Sequence, residues 1–295
     1  MAYRAAGRSA NVHSVAANPK SLAQQLSRRG PHSVLRGDLA LAGQPGVVYT
    51  PAEGFGLPAV AFGHGWLTGT SNYSALLEHL ASWGIVATAP NTERGPVPSA
   101  LGLSTDLITV LDICTSVRLG TGRISVHPDR VAVAGHGLGA GAAVLAASRR
   151  DVAAVASLFP APTAPSAAAV APRVDAPGLV LVGAKSLGSM NSDAVAVAQG
   201  WGGDVLLRSV DKASDDGLVE GRKLLSYIGL GGGERRTQQR TRALLTGFLL
   251  HRLTGDKSYA CFSDPEAEIP GSEAIADPAV IESDPAAQIS QLFGR

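Results

Sequence analysis

Apolar positions along the chain fall into short runs cut by glycine, proline and polar clusters, and the runs carry two different periods. In Ser33–Ala40, Val34, Arg36, Asp38 and Ala40 alternate against Leu35, Gly37 and Leu39, the two-residue period of a strand. Val47–Thr50 reads as a second short strand. Leu57–Phe62 is an unbroken apolar run ending at Gly63-His64-Gly65, as expected of a central strand buried on both faces. Gly84–Ala89 (stopped by Pro90), Val131–Ala134, Val152–Phe159, Gly178–Val182 and Val205–Val210 are further strand candidates. Helical spacing appears at 19–29, 72–82, Ser104–Leu119 (Leu107, Val110, Leu111 and Cys114 on one side), the alanine-rich run from Leu138, 192–199, 217–228 and 236–253. This alternation predicts an α/β fold: a doubly wound, mostly parallel sheet flanked by helices.

The two ends differ from the middle. Residues 1–37 carry Arg4, Arg8, Lys20, Arg28, Arg29 and Arg36 and no acidic residue, so residues 1–32 read as a basic, solvated arm. From Asp264 to Arg295 there are seven acidic residues, four prolines and one base, which reads as an extended, weakly ordered tail. The expected organisation is an arm (1–32), one α/β domain (33–263) and a tail (264–295), with head and tail as the protein-contacting parts.

Net charge is +1, so nothing in the composition pulls the chain toward nucleic acid or an anionic membrane. Two cysteines, Cys114 and Cys261, make neither a disulfide framework nor a metal site, and Cys114 reads as core. No apolar stretch reaches the length of a membrane span and no apolar leader follows the first arginines, so the expectation is a cytoplasmic protein. Arginine outnumbers lysine 20 to 5 amid abundant alanine and glycine, a usage expected of a high-GC bacterial genome.

The chemistry-bearing motif is Val131-Ala-Val-Ala-Gly-His-Gly-Leu-Gly-Ala-Gly141. A buried strand enters a tight turn, Gly135-His136-Gly137-Leu138-Gly139, and a helix leaves it. That is the layout of a nucleophile elbow, G-x-S-x-G, with Gly137 where the serine stands. The looser dinucleotide spacing G-x-G-x-x-A also fits Gly135, Gly137 and Ala140, but the next strand ends in Leu158-Phe159-Pro160 without an acid for a ribose hydroxyl. Gly229-Leu-Gly-Gly-Gly-Glu234 lacks the preceding strand and the Lys-Ser/Thr of a phosphate loop and reads as a linker. No cofactor or metal is expected.

Two longer segments carry a family resemblance. Phe62-Gly-His-Gly-Trp-Leu-Thr-Gly-Thr-Ser-Asn-Tyr-Ser-Ala-Leu-Leu-Glu-His-Leu-Ala-Ser-Trp-Gly-Ile-Val-Ala-Thr-Ala-Pro90 resembles the dienelactone-hydrolase, chlorophyllase and bacterial-cutinase branch of the α/β-hydrolases. So do His127-Pro-Asp-Arg-Val-Ala-Val-Ala-Gly-His136, before the elbow, and Leu253-Thr-Gly-Asp-Lys-Ser-Tyr259 after the last helix. The resemblance spans about residues 33–263 and implies the α/β-hydrolase fold. It also implies a serine nucleophile, an orienting acid and a histidine base in that chain order, with two backbone N–H groups as oxyanion donors.

Carried over position by position, the resemblance places the donors at Trp66, after His64-Gly65, and at Leu138. His136 falls on a turn position that is often histidine in this branch, where it packs the elbow. The nucleophile position is Gly137. The acid position falls at Ser186 or Leu187, and the base position at Asp215. After Gly137 the chain holds one histidine, His251, and it sits in the closing helical run, not in a loop after the last strand. The triad positions Gly137, Leu187 and Asp215 are therefore all degenerate, while His64, Gly65, Trp66, His136 and Leu138 keep a pocket.

The resulting expectation is a non-catalytic hydrolase-like protein with a binding, regulatory or scaffold role. Its partners would be an apolar or ester-like small molecule or another protein. The alternative is a carboxylic-ester or dienelactone-type hydrolase with a displaced nucleophile, for which Ser186, Ser189 and Ser214 are the candidates.

Overall fold

The computed structural model describes residues 18–221 and 233–276. Its centre is one nine-stranded sheet. In chain order the strands are β1 (Val34–Asp38), β2 (Gly46–Pro51), β3 (Gly54–Gly63), β4 (Val86–Pro90), β5 (Ile124–His136), β6 (Ala154–Leu158), β7 (Gly178–Gly183), β8 (Val205–Val210) and β9 (Ser272–Ile275). They lie in the order β1-β2-β4-β3-β5-β6-β7-β8-β9. The six from β4 to β8 run parallel, and β1, β2 and β9 complete the edges antiparallel.

Helices cover both faces. Side chains alternate along each central strand, so β3 sends Val60 and Phe62 to one face and Ala59 and Ala61 to the other. The first face packs against α1 (Pro19–Leu26), α2 (Ser74–Ser82) and α7 (Arg235–Thr254) through Leu22, Leu26, Leu77, Leu80, Phe248 and Leu249. The second packs against α3 (Ala100–Ser116), α4 (Leu138–Ala147), the single turn α5 (Ala167–Val170) and α6 (Ala194–Gln199). The architecture is the doubly wound, mostly parallel α/β sheet that the periodicity predicts. Among the described residues no helix is long and apolar enough to cross a membrane.

The differences from the sequence reading have local causes. β5 begins at Ile124, not near Val131, because the polar stretch His127-Pro-Asp-Arg130 is an exposed irregularity within a longer strand. Leu57 pairs with Val126 and Ala59 with Val131, a register shift at that point. The helix expected over 72–82 opens with a 3₁₀ turn, Thr70–Tyr73. α3 starts four residues before Ser104, where the Ser99 hydroxyl accepts from the Gly102 N–H at 2.9 Å. Of the helix expected over 217–228, the described residues 217–221 form a turn and irregular loop, and the rest lies outside the described residues, as does most of the 229–234 linker.

Parts of both terminal segments are built into the fold. The arm assigned to 1–32 holds a docked helix: the Asn18 side chain caps α1, and Leu22 and Leu26 are buried in the core. Residues 1–17 lie outside the described part. The tail assigned from Asp264 begins as built structure. Arg208, fully buried on β8, donates from Nη2 to the carbonyls of Asp264 (3.0 Å) and Ala267 (2.8 Å), and β9 then pairs with β8. A buried guanidinium must find acceptors, and main-chain carbonyls from beyond Asp264 supply them. Residues 277–295 lie outside the described part.

Candidate functional site at the switch of strand order

The chain winds in one direction from β3 to β4 and in the other from β4 across to β5. The carboxyl ends of β3 and β5 therefore meet where strand order reverses, the position at which open α/β sheets form a crevice. Gly63 at the end of β3 lies opposite Gly135 near the end of β5. From these two ends come His64-Gly65-Trp66 and His136-Gly137-Leu138.

The turn at Gly137 is sharp. Its φ of 57° and ψ of −115° lie outside every region that an L-residue favours, and α4 begins with the next residue. The flanking glycines serve another purpose. A Cβ on Gly135 would overlap the Gly139 carbonyl, and one on Gly139 would overlap the Gly63 carbonyl, so strand and helix touch backbone to backbone. A Cβ on Gly137 would instead meet nothing nearer than the Gly65 Cα at 3.8 Å. The centre of the turn has room for a side chain and carries none.

A buried hydrogen-bond chain fixes the turn from behind. The Gly65 N–H donates to the Tyr73 hydroxyl (3.0 Å), which lies 2.7 Å from His136 Nδ1. His136 Nε2 lies 2.6 Å from the Asp215 carbonyl oxygen. A carbonyl only accepts, so the proton sits on Nε2, and Nδ1 accepts from tyrosine. Complete burial pushes the Tyr73 hydroxyl well above the usual phenol range, which keeps it a donor. His136 also packs edge-on against Phe159, with ring centroids 6.0 Å apart.

His64 is buried, with Nε2 2.7 Å from the Thr92 carbonyl. Trp66 is 54% exposed, and its indole N–H donates to the Pro96 carbonyl at 3.0 Å. Leu67, in the same loop, and Val97, next to Pro96, are also exposed. Leu138 is the first residue of α4, where the helical ladder supplies its N–H with no carbonyl. Gly137 and Leu138 are only partly buried.

Asp215 lies in the loop after β8. Burial pushes its carboxyl above the ordinary range and neighbouring Asp216 adds to this, while the Ser186 hydroxyl and the Gly183 backbone oppose it. Ser186, in the turn after β7, is thus the residue brought against Asp215. Leu187 instead packs partly buried on the α3/α4/α6 face of the core. Ser214 donates to Glu234 Oε1 at 2.9 Å. Asp193 stands at the N-cap of α6, and His251, on α7, is tied to Ser263 Oγ at 2.8 Å.

The residues that sequence reasoning missed are Tyr73 and Glu220. Tyr73 lies inside the quoted Asn-Tyr-Ser segment, but nothing local says that its hydroxyl reaches a histidine 63 positions on. Glu220 accepts from the N–H groups of Ala75 (2.7 Å) and Leu76 (2.9 Å) and pairs with Arg242 at 3.2 Å. It clamps the Asp215 loop to the start of α2.

No protein-family model matches the chain, and no curated protein matches it significantly.

Proposed function

We infer that this chain is a member of the α/β-hydrolase superfamily, of the dienelactone-hydrolase, chlorophyllase and bacterial-cutinase type, that has kept the frame of the active site and lost its chemistry. Its role is then binding, regulation or scaffolding. The observation that carries the reading is the backbone of Gly137. A strained strand-to-helix turn, with side-chain room and no side chain, is what remains when an elbow is retained without its nucleophile.

The surrounding residues support the same reading. The position expected of the base holds Asp215, and an ionised carboxylate only accepts hydrogen bonds. It cannot take a proton on one face while an acid orients it through the other, as an imidazole does. Its neighbours are the Ser186 hydroxyl and the adjoining Asp216 carboxylate, and no imidazole stands at this position. Loss of nucleophile or base in such a triad costs about 10⁶-fold in turnover, leaving roughly 10³–10⁴ over water. Of the serines available as substitutes, Ser214 donates to Glu234 and Ser186 lies beside Asp215, and neither stands on a strand-to-helix turn. The exposed Trp66, Leu67 and Val97 side chains suit contact with an apolar or ester-like ligand.

The test is hydrolysis of short-chain p-nitrophenyl esters beside an active esterase, with labelling by a serine-directed phosphonate. The expected result is turnover at background and no label. Turnover comparable to the active enzyme, or stoichiometric labelling of Ser186, Ser189 or Ser214, would defeat the reading and restore the displaced-nucleophile alternative.

A further inference from the structure

Away from the switch point, one surface carries two sets of opposite charge side by side. α1 and the first turns of α7 present Lys20, Arg236 and Arg240 around a cleft of about 350 Å³. The segment leading into β9 presents Glu266 and Glu268, and β9 presents Glu273, around a second cleft of about 580 Å³. Lys20, Ile269 and Pro270 line both clefts, so the two patches adjoin. Among the described residues no ion pair joins Lys20, Arg236, Arg240, Glu266, Glu268 or Glu273 to an opposite charge, while the Arg240 guanidinium donates to the Asp211 carbonyl.

The arrangement is locally costly. α7 opens Arg-Arg-Thr-Gln-Gln-Arg with no acidic residue in its first turn, and the carboxylate of its N-cap residue Glu234 is taken up by Thr237 and Ser214, although a helix N-terminus disfavours positive charge. Cations gathered there gain stability only when an anion covers them. No large exposed apolar side chain lies on α1, α7 or the 264–275 segment, so the surface lacks an anchor for a membrane.

We propose that this surface is a homodimer interface, with the acidic ridge of one copy lying over the basic face of a second copy. Two adjoining patches of opposite sign are self-complementary under a two-fold axis near their boundary, since the rotation exchanges them. The contact is electrostatic, so it is salt-dependent.

Sedimentation equilibrium tests it with four samples of the full chain. The wild type forms a dimer at about 50 µM protein in about 50 mM salt and dissociates at about 500 mM salt. Lys20→Glu/Arg236→Glu and Glu266→Lys/Glu268→Lys each weaken self-association at least about tenfold. Their equimolar mixture regains the dimer, because both contacts of the mixed pair are again opposite in sign. Circular dichroism melting of each variant separates loss of pairing from loss of fold. A wild type that stays monomeric at low salt overturns the proposal, including one that instead retains an added acidic polypeptide or nucleic acid. So does a dimer that survives both reversals, or a folded mixture that fails to pair.

Discussion

Gly137 and its two neighbouring glycines look alike in the sequence and differ in physics. At Gly137 the constraint is backbone conformation; at Gly135 and Gly139 it is space. A serine at 137 fits sterically but must hold the φ of 57°, so Gly137→Ser should lower unfolding free energy by about 1–3 kcal/mol in urea titration. It should restore no ester hydrolysis, since no imidazole stands at Asp215. Gly139→Ala should cost about 3 kcal/mol or more, because its Cβ meets backbone that cannot rotate away. Equal costs at both positions would mean that the turn relaxes more freely than its hydrogen bonds allow. The G-x-G-x-G pattern was legible from sequence, and the reason for each glycine was not. Leu187 shows the same limit: counting along a loop could not separate it from Ser186, whose hydroxyl reaches Asp215.

The elements around the site are held by clamps between parts distant in the chain. Glu220 binds the first amides of α2 and the Arg242 guanidinium of α7 together. Burial pushes its carboxyl up, while the amides and Arg242 oppose this. Glu220→Ala should cost about 2 kcal/mol and speed amide exchange at Ala75 and Leu76 at least tenfold, with little change in α3 or α4. Uniform acceleration across the chain would instead mark a global loss of stability. Strands and most helices were legible because their apolar period is a local property. The extent of β5 was not, since a polar interruption at 127–130 resembles an end until the neighbouring strand shows that pairing resumes. β9 was hidden for a similar reason: its four residues have no strand pattern of their own and are fixed by Arg208 and β8.

At the scale of the whole molecule, stability should depend on pH through His79. It is buried between α1, α2 and α7, and its pKa falls from 6.5 to about 4, through burial first and the nearby Arg242 second, against a backbone bond at Leu26. The unfolded chain takes this proton near pH 6.5 and the folded protein only near pH 4, so stability falls as pH falls through that window. The full shift corresponds to about 3 kcal/mol as an upper bound. Glu234 acts in the same direction. Burial raises its carboxyl, but hydrogen bonds from Thr237 and Ser214 outweigh it and leave it lowered. Asp193, Asp215 and Glu220 are raised and act oppositely, favouring the fold as pH falls. His79→Gln should flatten the dependence of the urea midpoint between pH 6.5 and 4. An unchanged slope would show that His79 titrates alike in both states.

The amino-acid sequence alone determined the class of architecture, the strand-to-helix turn at Gly137 and the absence of a histidine in the loop where a base would stand. Those follow from local period, local spacing and residue identity. Only the tertiary structure decided what the retained residues do: that Tyr73, His136 and the Asp215 carbonyl form one buried chain, that Ser186 lies beside Asp215, and that Lys20 of the first helix borders one cleft with Glu266, Glu268 and Glu273. Hydrogen bonds and charge contacts join residues tens of positions apart, and their partners are chosen by the sheet that brings the strand ends together.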